Sequence, residues 1–189
     1  MRYSTAHKEQ SRNRILEAGR TLFRERGFDG ASIDQVMNAA GLTRGAFYAH
    51  FESKDDLVHQ VLGIEAGLVK ALRTAAATDT PRASGVTALE NYLDPSQRIN
   101  NATGCPLVAH PVDAVRGGAD RKAGYSARLR SLIESVQSVL GGEESRNEAV
   151  LVSVLAVGGA LLSAAIDDGE LADLIEEVCG DEIRAVANP

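Results

Sequence analysis

The sequence predicts an all-α fold. Three observations carry that reading. Apolar residues recur at helical spacing in nearly every segment, no run sustains the period-two alternation of a half-buried strand, and Ser, Gly and Pro stand where helices start and stop. With 189 residues, 44% of them hydrophobic and 24% charged, the chain is long enough to bury a core and lies outside the disordered class.

The first helix is expected from Glu9 to Gly27. Ile15, Leu16, Gly19, Leu22 and Phe23 form one stripe, Arg12, Arg14, Arg20 and Arg24 lie off it, and Gly27 supplies a stop. Ser32 caps a second helix, with Gln35 reaching back in a capping box; Ile33, Val36, Met37 and Ala40 face inward and Gly41 ends it. Thr43 then caps a third, short helix to about His50. Ser53 and Asp56 repeat the capping pattern and open a longer helix, with its apolar face running from Leu57 to Leu72. "TDTPRASG", residues 78–85, reads as a connection through Pro81 and Gly85. A helix near 86–93 follows, then an irregular stretch around Asp94-Pro95, Gly104, Pro106 and Pro111. Helices are next expected at about 120–140 and 147–166, with "GGEES" between them as a turn, and at "ELADLIEEV".

"VLVSVLAVGGALLSAAI", residues 150–166, is apolar on nearly all sides and sits at the lower edge of transmembrane length. Ser153, Ser163 and Gly158-Gly159 dilute it and no basic flank supports a span, so no membrane partner is expected. A soluble helix of this kind must cover both sides, which it can do by packing one on its own chain and the other on a second copy.

Charge is unevenly distributed. Residues 1–54 hold nine Lys and Arg against six Asp and Glu, whereas residues 55–189 hold eleven against twenty, so the net −6 conceals a basic N-terminal part. Cys105 and Cys179 form no disulfide framework and no CxxC pair, and the four histidines are scattered. Reduced thiols, no metal and no cofactor are expected. No charged segment, apolar run and cleavage site stand at the N-terminus, which points to the cytoplasm.

Three helices of about 19, 8 and 8 residues, the last two joined by Gly41-Leu42, have the form of a helix-turn-helix, whose second helix enters the DNA major groove. Three aromatics crowd "LTRGAFYAHFESKDDL", residues 42–57. Helical geometry turns Phe47 and Phe51 toward the core and Tyr48 away from it. Thr43, Arg44 and Gly45 lead that helix with a hydroxyl, a bidentate donor and no side chain to block approach; Tyr48, His50 and Lys54 can donate to phosphate.

The stretch "RILEAGRTLFRERGFDGASIDQVMNAAGLTRGAFYAHFESKDDL", residues 14–57, resembles the N-terminal signature of the tetracycline-repressor (TetR) family without a gap. The resemblance implies about nine helices, an N-terminal DNA-binding domain over residues 1–54, and a ligand-binding and dimerisation domain over 55–189. It also implies a homodimer joined through the last two long helices, a palindromic double-stranded operator, and repression relieved by a small-molecule effector. Thr43, Arg44 and Gly45 match the family's base- or backbone-contacting residues, and Tyr48, His50 and Lys54 its phosphate contacts. "GCPLVAH", residues 104–110, is similar to a Gly-Cys-Pro or Gly-Cys-Leu element of one branch, where the cysteine senses electrophiles or oxidants; this makes Cys105 a candidate sensor. Leu62, Leu107, Leu129 and Ile133 are candidate lining residues of an effector pocket, against the reading that all four are closed core. Two alternatives stand beside this one. The first is a thiol enzyme with Cys105 as nucleophile, His110 as base and Asp113 as its orienting group. The second is a DNA-binding protein with no ligand.

Overall fold

In a computed structural model of the chain, residues 5–63 and 67–187 are described, and among them every regular element is helical. There are eleven α-helical spans: α1 (Thr5–Gly30), α2 (Ile33–Ala39), α3 (Lys54–Gly63), α4 (Gly67–Ala76), α5 (Pro81–Leu93), α6 (Arg98–Gly104), α7 (Pro106–Ala109), α8 (Pro111–Arg116), α9 (Gly118–Leu140), α10 (Arg146–Ala165) and α11 (Gly169–Ala187). Gly27, with φ of 70°, divides α1 and brings the helices to twelve, against the nine or so expected.

The excess has a local cause. The stretch expected to be irregular is three short helices in which prolines at 106 and 111 each take a first-turn position, where a missing N–H costs nothing. Pro81 likewise opens α5, so that helix begins five residues before the expected 86. Gly85, expected to break the chain, lies inside α5, where a Cβ would come within 2.7 Å of Val139. The third expected helix, over Arg44–Ala49, is a 3₁₀ segment. The helix expected from Ser53 through Leu72 is described as α3 and α4, with residues 64–66 outside the described set.

Two compact units divide the chain: Met1–Ile64 with His110–Tyr125, and Glu65–Ala109 with Ser126–Pro189. By compactness, residues 55–63 group with the first unit. Leu57, Val58 and Val61 of α3 are buried with Ile15, Phe23, Phe28, Val36, Phe47 and Phe51, so α3 completes the first unit's core.

In the second unit α10 and α11 pack closely. Gly159 allows it, because a Cβ there would lie 3.0 Å from the Cys179 Sγ. Ala149, Val152, Ala156 and Ala160 turn inward from α10, while Val150, Leu151, Val154 and Leu162 are exposed; α11 adds exposed Leu171, Leu174 and Val178. The span Glu143–Ala165 is long and apolar enough to cross a membrane, and its buried face is the one just described. Arg98 of α6 grips Glu176 of α11 through two hydrogen bonds of 2.8 and 2.7 Å, with Asp173 as a further partner at 2.6 Å. Arg82 donates to the last carbonyl turns of both α9 and α11, at Leu140 and Ala187, satisfying groups that a helix end leaves open.

Candidate nucleic-acid interface

The interface is built outward from the turn between α2 and the 3₁₀ segment. Ser32 and Gln35 form the expected capping box, with Gln35 N–H on Ser32 Oγ at 3.2 Å and Ser32 N–H on Gln35 Oε1 at 2.9 Å. At the other end of α2, Gly41 adopts φ of +64°. Its N–H reaches the Asn38 carbonyl at 3.0 Å and Leu42 N–H reaches that of Met37 at 2.9 Å, the paired bonds of a Schellman stop. The chain thus leaves α2 along a fixed path. Ala46 N–H bonds back to Thr43 O at 3.0 Å and starts the 3₁₀ segment.

The aromatics divide as helical geometry predicts. Phe47 and Phe51 are buried with ring centroids 5.5 Å apart, whereas Tyr48 is 59% exposed. Arg12 of α1 lies over the Phe51 ring at 5.6 Å and donates to Gln60 of α3, which in turn donates to Asp56 at 2.7 Å. That run of contacts sets Phe51, just after the 3₁₀ segment, against both neighbouring helices. Thr43 is exposed and makes no capping bond. Gly45 is exposed too, and a Cβ there would meet nothing within 4 Å, so the protein's own packing does not require the glycine. Close approach of another molecule's backbone would require it.

Arg44 is not isolated. Its Nη1 stands 2.6 Å from Asp34 Oδ2, and both side chains are half or more in solvent. His50 is half-buried, and its Nδ1 has no hydrogen-bond partner among the described residues. Burial, then the charges of Lys8 and Arg12, hold its pKa below the ordinary 6.5. Lys54 opens α3 and helps to keep the Asp29 carboxyl acidic, after the larger effect of Arg121. A cavity of about 670 Å³ lies between His7, Lys8 and Ser11 of α1 and Leu42, Thr43 and His50. Thr43, Arg44, Gly45, Tyr48, His50 and Lys54 therefore all belong to one unit, and the structure adds Lys8, Arg12 and Asp34 to their surroundings.

A second constellation supports this unit from far along the chain. The break at Gly27 leaves Phe28 N–H outside the α1 ladder, and Asp113 Oδ1 faces it at 3.4 Å. The other Asp113 oxygen lies 3.1 Å from His110 Nδ1, and the His110 ring stacks on Phe28 at 4.3 Å. Arg121 bonds Asp29 through two nitrogens at 3.2 and 2.9 Å and reaches Asp55 at 3.2 Å. Burial lowers the His110 pKa, Asp113 opposes that, and Arg24 adds to it. His110 and Asp113 pair through Nδ1, as the enzyme alternative requires, and the His110 ring is also stacked on Phe28. The pair anchors a helix end.

The remaining candidates lie in the second unit. Cys105 is only 6% exposed, between α6 and α7, and its carbonyl accepts from Val108 and Ala109 N–H at 3.0 and 2.9 Å. Leu107 is buried; Leu129 and Ile133 are half-buried; the Leu62 side chain lies outside the described residues. A cavity of about 390 Å³ in the same unit is lined by Leu68 and Ala71 of α4, Asn91 and Tyr92 of α5, and Asp94 and Gln97 beyond it.

Residues 15–61 match the model of the bacterial regulatory proteins, tetR family. The chain is 38% identical over 63 residues to the HTH-type transcriptional repressor BepR of Brucella suis biovar 1 (strain 1330), a match covering 33% of this chain and 30% of BepR. Matches to such curated relatives span between 25% and 47% of each relative's length. The fold is similar to that of a TetR-family transcriptional regulator from Streptomyces coelicolor, with a TM-score of 0.75, 18% identity and 95% of each chain covered. It is also similar to the protein of a SmeT-triclosan complex, with a TM-score of 0.71, 20% identity, and 93% of this chain and 90% of that one covered.

Proposed function

We propose that the chain, whose residues 15–61 match the tetR family model, is a cytoplasmic, homodimeric, DNA-binding transcriptional regulator of that family, a repressor that a small-molecule effector releases from a palindromic operator. One observation carries the DNA-binding part. Thr43, Arg44, Gly45 and Tyr48 are all exposed on a segment that Phe47 and Phe51 fix to the core, so the groups that can read a groove are held by groups that cannot move. Gly45, unneeded by the protein itself, fits a surface that a phosphate backbone must approach.

Dimerisation is supported by Val150, Leu151, Val154, Leu162, Leu171, Leu174 and Val178, which α10 and α11 leave in solvent. Such an apolar face is costly unless covered. Two recognition segments about 34 Å apart would then meet successive major grooves. The effector reading rests on the 390 Å³ cavity, whose lining sets Leu68, Ala71 and Ala88 beside the polar Asn91, Tyr92, Asp94, Ser96 and Gln97. SmeT was solved with triclosan, which supports a small-molecule effector as the class. An effector releases DNA only by binding the competent and incompetent states unequally. The chain passes between its units after Ile64, Ala109 and Tyr125, so three covalent connections are available to carry that difference. Burial of the Cys105 thiol favours neither release by an electrophile nor a nucleophile open to substrate.

Selection of bound duplexes from a random pool tests the reading. The expected result is one palindromic site, with binding that weakens steeply with salt. Enrichment of no sequence would overturn it.

A further inference from the structure

We propose that Asp34 is a specificity-determining residue of the DNA-reading surface, which holds the Arg44 guanidinium in the orientation that reads guanine and lowers affinity for DNA at large. The inference rests on the DNA-binding reading above. Asp34 lies in the first turn of α2, a helix placed by the Ser32–Gln35 capping box and ended by the Gly41 stop, so its carboxylate has a fixed origin. Arg44 lies at the start of the 3₁₀ segment, ten residues on, and the two meet at 2.6 Å.

The pair is half or more exposed, and an ion pair so placed adds little to folding. Its other effect is unfavourable, since an acidic group beside a phosphate-binding surface repels every duplex alike. What the pair does supply is order. An unpaired arginine spreads over many rotamers, and fixing it on DNA costs conformational entropy. Asp34 engages one nitrogen of the fork, and the remaining N–H groups can still make the two bonds to guanine O6 and N7. The carboxylate accepts and cannot donate, so it cannot itself substitute for the arginine at a base acceptor. Both effects act in one direction, weakening the unspecific background while favouring one base.

The test uses the full-length protein as wild type, Asp34→Asn, Asp34→Ala, Arg44→Ala and the Asp34→Ala/Arg44→Ala double variant. Each is passed through selection from a random duplex pool, then titrated at one salt concentration with the selected site and an unrelated duplex. Arg44→Ala is expected to lose about tenfold or more of the preference for guanine at one position per half-site. Asp34→Ala is expected to lose about two- to fivefold of that same preference and to bind the unrelated duplex about two- to fivefold more tightly. Asp34→Asn keeps an acceptor oxygen without the charge, and should retain most of the guanine preference while sharing the tighter unspecific binding. In the Arg44→Ala background, Asp34→Ala should change no base preference.

The inference is overturned if Asp34→Ala keeps the wild-type guanine preference, or changes base preference equally with and without Arg44. It is overturned as well if Arg44→Ala leaves every position unaltered. A wild type that selects a site under any of those outcomes leaves the DNA-binding reading standing. A wild type that selects none overturns both.

Discussion

Replacing Asp113 by Ala tests whether a side chain 85 residues away stabilises the end of α1. The carboxylate only accepts, so the neutral His110 facing it at 3.1 Å must carry its proton on Nδ1. His110 is 5% exposed, and removing the acceptor leaves a buried donor unsatisfied, at about 1–3 kcal/mol. The Phe28 N–H contact at 3.4 Å is long and adds about 0.5 kcal/mol. The total is about 2 kcal/mol, a shift of roughly 1 M in the urea midpoint for a slope near 2 kcal/mol/M. Urea unfolding followed by far-ultraviolet circular dichroism at pH 7.5 measures it. His110→Phe keeps the ring on Phe28 and removes the donor, so in that background Asp113→Ala should cost under about 1 kcal/mol. Equal losses in both backgrounds would refute the role given to the His110 bond.

Four further outcomes follow from the same geometry. His110 and His50 both have pKa values held below 6.5 in the folded chain. The unfolded chain therefore binds more protons just below that pH, and stability should be full above 6.5 and fall as the pH drops toward the depressed folded values. Acid titration of His110→Phe should show a shallower fall. Lys54→Ala should weaken binding to all duplexes similarly and reduce the salt slope by about one, in contrast to the base-selective loss expected of Arg44→Ala; duplex titrations at several salt concentrations separate the two. Both thiols should react slowly with a chromogenic disulfide at pH 7, Cys105 through burial and Cys179 because burial, then Glu176, raises its pKa; a fast Cys105 would restore electrophile sensing. For the homodimer proposed above, Val154→Glu with Leu174→Glu should raise the dissociation constant at least about tenfold by sedimentation, because a charge placed in that apolar face would be buried on association.

Legibility in the sequence followed the range of the interactions. Ser32 with Gln35, Gly41 with Leu42, and the split between Phe47, Phe51 and Tyr48 are decided within ten residues, and periodicity together with capping chemistry reads them correctly. Proline-rich residues 94–117 were misjudged because a proline reads equally as a breaker and as a first helical residue; only packing distinguishes the two. The 3₁₀ form of Arg44–Ala49 was hidden for a similar reason, since six residues show too little periodicity to separate 3.0 from 3.6 residues per turn. Nothing in the local sequence of Asp34, a first-turn acid, marks its pairing with Arg44 ten residues on. His110, Asp113 and Arg121 are the least legible, as nothing in their local pattern points to partners 66 to 92 residues earlier. For Leu107, Leu129 and Ile133 a helical stripe marks a buried or half-buried face and says nothing of a cavity beside it.

Those distant partners bear on how the protein is made. A chain emerging from the ribosome can wind α1 to α3 as soon as residue 63 is out, but Phe28 lacks its His110 cover and Asp29 its Arg121 partner until residues 110–121 have been synthesised. At roughly 5–20 residues per second, that interval lasts on the order of several seconds. During it an aromatic side chain that is wholly buried in the finished protein lacks part of its covering. A fragment ending near residue 64 would keep that defect permanently, so the boundary suggested by the family signature is the wrong place to cut this gene when a DNA-binding module is wanted.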